Sequence, residues 1–300
     1  MKQFRAWKNQ CLSNKIFDVV NLFVLICTLI ICFYPLYYIL ILSFSDQVVG
    51  TYLWPSNFNV SGYKLILERT EIWIGYGNTI IYTVLQVLAS LAVILPFAYA
   101  LSRRDLIGRN LMTGFIMLTM FVSGGLVPGY LNMYNLGLLN TRACIIIAGL
   151  VSTYNIIVAR TFFASTVSGE LFDAAKMDGC GNGRFFFTIV MPLSKPIAAV
   201  MALYVGVAQW NSYFTEMIYL RDDSKYPLSL YLRRLLNEVN AITKMMEEAG
   251  IEIPNAAERL QAATVMQYSI IIVSTVPMLI VYPFIQKYFA KGVMIGSVKG

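Results

Sequence analysis

Three carboxylates, one lysine and two alanines gather in Glu170-Leu-Phe-Asp173-Ala174-Ala175-Lys-Met-Asp178-Gly179, a polar island in a chain that is 58% hydrophobic and 13% charged. Their types suit recognition, not bond-making. The chain has no histidine, no serine stands beside a base, and no metal-ligand spacing occurs. No catalytic or metal-binding residue is therefore assigned. What the spacing offers is a docking surface. Ala174 and Ala175 beside Asp173 let another protein's groove approach the helix backbone, and Glu170 opens the segment. Gly179 suits a left-handed helix cap, and Asp178 suits capping the next helix. Gly181-Asn182-Gly183 reads as a flexible link. Phe185, Phe186, Phe187 and Ile189 give a second short helix its apolar body, with Pro192 ending it and Pro196 beyond. An ordinary loop helix is the competing reading of these residues taken alone.

The elements that must hold the island are membrane spans. Mean hydropathy is +0.64, and the charged fraction is far below the roughly one quarter usual for soluble domains. Charge-free runs cover 19–45, 72–102, 110–141, 143–159, 196–215 and 260–286. A helix needs about 20 residues to cross the hydrocarbon core. The runs are unbroken, where barrel strands would alternate. The expected fold is an all-α integral membrane protein with six transmembrane helices. An even count puts both termini on one side with 102–110 and 168–195. That side holds thirteen lysines and arginines against five acids, and the other holds eight against eleven, with Arg142 and Arg160 near the ends of the fourth span left out. The positive-inside rule then places both termini and the island in the cytoplasm. The net charge of +7 is thus a topology signal, not a nucleic-acid footprint.

The organisation expected is a basic cytoplasmic lead-in at 1–17, a six-helix body at 18–290 and a cytoplasmic tail at 291–300. The first apolar run is too long for a secretion signal and reads as a retained span. The five cysteines lie in spans or on the inner side, so no disulfide framework is implied. Gly124-Gly125 and Pro128 predict an irregular or kinked outer end to the third span. The longest polar segment is the outer loop 221–263. There Leu228, Leu232, Leu235 and Val239 predict an amphipathic helix over 228–246, either a partner contact or a solvated surface helix.

Asp173-Ala-Ala-Lys-Met-Asp178-Gly179 with Phe186, Ile189, Pro192 and Pro196 resembles the EAA loop of the membrane subunits of ABC importers. Asp173 stands for the leading Glu of that pattern and Cys180 for the usual Ala. The resemblance implies a coupling helix, docked in a cytoplasmic ATPase subunit, with Glu170, Asp173, Ala174, Ala175, Asp178, Gly179, Phe186 and Pro192 at or beneath the contact. Gln209-Trp210-Asn211 and Pro227-Leu228 are similar to the maltose-type second permease subunit of the carbohydrate-uptake family. The ending Gly292-Val-Met-Ile-Gly296-Ser-Val-Lys299-Gly300 is similar to a tail that enters the ATPase dimer interface, which adds Gly296 and Lys299 to the coupling residues. Gly124-Gly125-Leu-Val-Pro128 and Leu136-Gly137-Leu138-Leu139-Asn140-Thr141 resemble the branch importing complex oligosaccharides or polysaccharide fragments.

The resemblance implies a non-catalytic permease in a bacterial inner membrane. Its partners would be a second permease in a heterodimer, two ATPase subunits carrying ATP and Mg, and an extracellular or periplasmic sugar-binding protein met by the loop at 221–263. This chain itself would hold no cofactor. The expected sugar path is Gln86, Tyr130, Asn132, Asn155, Gln209, Trp210, Asn211 and Tyr213, with amides and hydroxyls for hydrogen bonds and Trp210 and Tyr134 for pyranose faces. Interhelical hydrogen bonds and aromatic packing compete with that reading. Arg160 and Glu216 read as gate residues or as interfacial charges. The alternatives are an importer permease for another solute such as peptides, or an intramembrane glycan or lipid enzyme.

Overall fold

The computed structural model describes residues 11–45, 54–55, 57–249, 264–280 and 282–283. Among the described residues the chain is helical and forms no strand, with one isolated bridge between Ser45 and Phe58. Gly296 and Lys299 lie outside the described residues, as do 1–10 of the lead-in and 250–263 of the long loop.

The chain divides into two compact units, Met1–Glu68 with Glu238–Val273, and Arg69–Asn237 with Ser274–Gly300. In the first, α1 (Leu12–Ser43) and α2 (Ser61–Glu68) are joined where the Ser43 and Tyr63 hydroxyls meet at 2.8 Å. Ser269 also donates to the Ser43 carbonyl. At 1.5 Å per residue α1 is about 48 Å long, more than the ~30 Å apolar core of a bilayer. Its most apolar stretch has no buried residue, as expected of a helix that is apolar all round and meets lipid or another subunit.

The second unit is built on α3 (Thr70–Ser102), against which α7 (Thr153–Thr166) and α10 (Lys195–Trp210) pack. The buried stripe of α3 advances by about four residues. It is polar at Asn78, Gln86 and Ser90, and apolar at Ile94, Ala98 and Leu101. One helix therefore presents a hydrogen-bonding half and a packing half to the same neighbours.

Only α1 and α3 are unbroken helices long and apolar enough to cross a membrane, among the described residues. Two of the predicted spans are broken, and another begins at a bend. The third is α4 (Arg109–Phe121) and α5 (Leu126–Asn135), bent by 113°, and the fourth is α6 (Arg142–Ala148) and α7, bent by 55°. The fifth run begins at a 76° bend between α9 (Asn182–Leu193) and α10. The last run contains α13 (Thr264–Ile280). Gly125 accounts for the first break: its φ of +85° is open to glycine and strained for other residues. The expected irregularity at Gly124–Pro128 is there, but it replaces a single span by two helices. A cap helps account for the next break, where the Ser152 hydroxyl accepts from the Asn155 amide at the start of α7.

Candidate functional site

The polar island folds as α8 (Gly169–Met177), and both of its ends are specified locally. Ser168 Oγ accepts from the Leu171 amide at the start. At the finish, Gly179 N donates to Lys176 O at 3.0 Å and Cys180 N to Ala175 O at 2.9 Å. These are the two bonds of a Schellman cap, and Gly179 sits at φ +73°, the left-handed position that motif needs. A Cβ at Gly179 would meet nothing within 4 Å. The constraint is therefore on the backbone and not on space.

α8 is two-faced. Ala175 is buried and Phe172 half-buried, and both join a cluster formed with Tyr99, Phe163, Phe185 and Phe186. Phe172 meets Phe185 edge-on at 5.3 Å, and Tyr99 lies 6.5 Å from Phe185 and 5.3 Å from Phe186. An aromatic chain thus runs from α8 through α9 to the Ser102 end of α3. The other face carries Glu170, Asp173, Ala174 and Met177, at helical i, i+3, i+4 and i+7 positions and all exposed, Met177 at 89%. Asp178 is also exposed.

Arg103 fastens the assembly, a role with no signal in the sequence beyond its charge. Its guanidinium lies 4.1 Å from the centre of the Phe172 ring. It also donates to Asn182 Oδ1 at 2.8 Å and pairs with Asp105 through both carboxylate oxygens. Hydrogen bonds from Arg103 hold the Asp105 carboxyl below the usual carboxylate range. Arg160, the expected gate or interfacial charge, donates to the Leu101 carbonyl at 3.2 Å and so ties α7 to the same end of α3.

Three local expectations are corrected. Gly181-Asn182-Gly183 is not a link: Gly181 caps α9, Asn182 begins it and Gly183 lies inside it. Asp178 closes α8 and does not cap α9, because Cys180 and Gly181 intervene. Pro192 does not end its helix, which continues to Leu193. The helix widens into a π turn over Phe186–Val190. That wider turn just precedes Pro192, whose ring nitrogen cannot donate to the ladder.

The expected sugar-path residues do not converge on one site. Gln86, Asn155 and Gln209 line a cavity of about 740 Å³ with Ser152, Tyr154 and Tyr204. Gln86 is 2% exposed; its Nε2 donates to Ser90 Oγ at 3.2 Å while its Oε1 has no partner. Trp210, Asn211 and Tyr213 line a second cavity of about 690 Å³. Tyr130 lies elsewhere, stacked on Tyr219 and accepting from Arg221, and Asn132 is exposed on α5. Several amides are already engaged. Gln209 Nε2 donates to Glu216 Oε1 at 2.8 Å, and Asn211 Nδ2 donates to the Val207 carbonyl. Glu216, on α11 (Phe214–Tyr219), is wholly buried and also accepts from Ser212. It is not an interfacial charge.

The opposite end of α3 carries a second polar lock, which seats α12 (Leu228–Ala249). Asn78 Nδ2 donates to the Ser224 and Tyr226 carbonyls, and its Oδ1 accepts from Arg142. Tyr82 donates to the Lys225 carbonyl and Leu228 N donates to Thr79 Oγ1. Asn140, at φ +58°, accepts from the Arg221 and Asp222 amides. The amphipathic helix expected over 228–246 is present, with Leu228 and Leu235 buried.

Comparison with known proteins supplies the family. No protein-family model matches the chain. It is 34% identical to the polygalacturonan/rhamnogalacturonan transport system permease protein YtcP of Bacillus subtilis, across 96% of this chain and 100% of that one. Protein LplC of the same organism is also 34% identical, over 96% of each chain. The arabinooligosaccharides transport system permease protein AraQ of Halalkalibacterium halodurans is 28% identical over 82% of this chain and 81% of that one. The fold matches a chain in the crystal structure of a bacterial ABC transporter involved in the import of the acidic polysaccharide alginate. There the TM-score is 0.82 and the identity 33%, covering 93% of this chain and 99% of that one. The chain belongs to the permease subunits of carbohydrate ABC importers. It is a membrane protein that works with partner subunits, and ATP hydrolysis in such systems belongs to separate subunits. In this permease the EAA-like segment is the anchored, capped helix α8.

Proposed function

We propose that this permease spans a bacterial cell membrane six times with both termini inside, and that α8 couples it to a cytoplasmic ATPase. The six spans would be α1, α3, the bent pairs α4–α5 and α6–α7, then α10 and α13. A companion permease of different sequence would complete the gate. Two ATPase subunits carrying ATP and Mg would drive it, and an extracellular or periplasmic sugar-binding protein would deliver the cargo to the loop that begins with α12. The cargo is a saccharide, and we assign it to fragments of acidic polysaccharides. YtcP and the alginate importer, two relatives above 30% identity that are named for a substrate, are both named for polysaccharides that contain uronic acids.

One observation carries the coupling role. α8 is fixed on one side by Phe172 and Ala175 and bare on the other along Glu170, Asp173, Ala174 and Met177. ATPase closure would push on that face, and the Phe172–Phe185–Tyr99 contacts would carry the displacement into α3. A loaded receptor can bias the same equilibrium only by binding one state better than the other. The cavity around Gln86 is walled by residues of α3, α6, α7 and α10.

The test is co-purification of the cognate ATPase with permease variants. Gly179→Arg strains the left-handed cap and deletion of 173–179 removes the docking face, so both abolish capture while the companion permease stays bound. Normal ATPase capture by either variant would refute the assignment.

A further inference from the structure

The cavity beside Trp210 contains a charged group that the coupling machinery does not use. Its walls come from α10, the turn after it, the first turns of α12, residues 274–279 and Tyr282. Arg233 opens onto it, with its guanidinium 5.7 Å from the centre of the Tyr213 ring. Among the described residues no carboxylate pairs with Arg233, whereas its neighbour Arg234 is held by Asp223 at 3.0 Å and by the Tyr226 ring and hydroxyl. The buried acid Glu216 is already satisfied by Gln209 and Ser212. Trp210 is fixed in the wall by its Nε1–H, which donates to the Ser274 carbonyl at 3.2 Å.

We propose that Arg233, with Trp210 and Tyr213, is a subsite for the carboxylate of a uronic-acid residue in transit, and that it selects anionic over neutral saccharides. This rests on the saccharide-import reading above and names the residues that read charge. The chemistry of the three side chains is complementary to one ligand class. A pyranose ring presents a C–H face that packs on an aromatic ring, and a uronate adds a planar carboxylate at its rim. The guanidinium fork matches that carboxylate in two parallel hydrogen bonds, and an ammonium would not. The cavity, about 690 Å³, falls within the ~300–1,000 Å³ range of small-ligand sites. Its largely apolar lining raises the strength of a charge-assisted bond formed there.

The test uses the whole transporter with its companion permease, ATPases and receptor in proteoliposomes. Uptake is measured for galacturonate and mannuronate trisaccharides and for their carboxyl-reduced neutral counterparts. Wild type is expected to favour the anionic sugars. Arg233→Gln should lower the anionic-to-neutral uptake ratio roughly tenfold or more, the loss expected for a charge-assisted hydrogen bond. Arg233→Lys should recover part of that ratio, which separates charge reading from a packing defect. Tyr213→Leu should lower uptake of both classes and leave the ratio nearer wild type. An unchanged ratio in Arg233→Gln overturns the subsite. A wild-type transporter that carries only neutral sugars overturns it too, while saccharide import stands. Failure to carry any of these sugars overturns both.

Discussion

Arg103 shows how much one side chain can carry at a joint. Its guanidinium covers Phe172 and reaches Asn182, so it touches both α8 and α9 from the end of α3. A cation over an aromatic face is worth about 0.5–1 kcal/mol at an exposed site, and a hydrogen bond from a charged donor about 1.5–3 kcal/mol. Arg103→Gln therefore loosens α8 without unfolding the unit. The expected result is several-fold less sugar moved per ATP hydrolysed, with ATPase binding largely retained. Arg103→Lys recovers little, because an ammonium lacks the planar fork. Sugar uptake and phosphate release measured together decide it, and unchanged stoichiometry in Arg103→Gln would exclude the clamp. The pH behaviour follows the lowered Asp105 carboxyl. A depressed carboxylate stabilises above its unfolded value, about 3.9, and loses that contribution only as pH falls through the lowered folded value. The clamp is thus intact throughout the neutral range.

At the scale of elements, α3 separates two jobs by distance. Its Ser102 end carries the clamp and the aromatic chain, and its Thr70 end carries the polar lock that seats α12. Gly75 and Tyr99 are 24 residues apart, about 36 Å along the helix. A Cβ at Gly75 would lie 3.2 Å from the Leu228 backbone nitrogen and Cα, atoms that cannot rotate away. Gly75→Val therefore displaces the first turn of α12 and strains the bond from Leu228 N to Thr79, an overpacking cost of about 1–3 kcal/mol. Receptor-stimulated ATP hydrolysis should fall while ATPase capture by α8 persists, and parallel loss of both would show that the two ends are not separable. The same elements mark what a sequence can disclose. Gly179 was legible because only its backbone conformation matters, and α12 because its leucines repeat on one face. The bends were not, since hydropathy measures length and ignores direction. The Gln209–Glu216 bond was not legible, because Glu216 comes into reach only after the chain turns at Asn211. Arg103 could not be found at all, since its role exists only when α3, α8 and α9 meet.

For the whole molecule, the proposed six-span arrangement makes one claim: α8 and α12 face opposite sides of the membrane. Cys180 is a native probe, half-exposed just beyond the cap of α8. Lys244 is exposed on α12. In a protein whose Cys11, Cys27, Cys32 and Cys144 are replaced, an impermeant maleimide should label Cys180 only from the inner face, and bound ATPase should protect it. With Cys180 also replaced, Lys244→Cys should label only from the outer face, and loaded receptor should slow that reaction. Six spans require this opposition, because α8 and α12 are separated by α10 alone. If α10 were re-entrant, as its 76° bend from α9 would permit, both positions would label from the same side. The six-span arrangement, with its inside termini, would then be wrong, although the anchored face of α8 would remain.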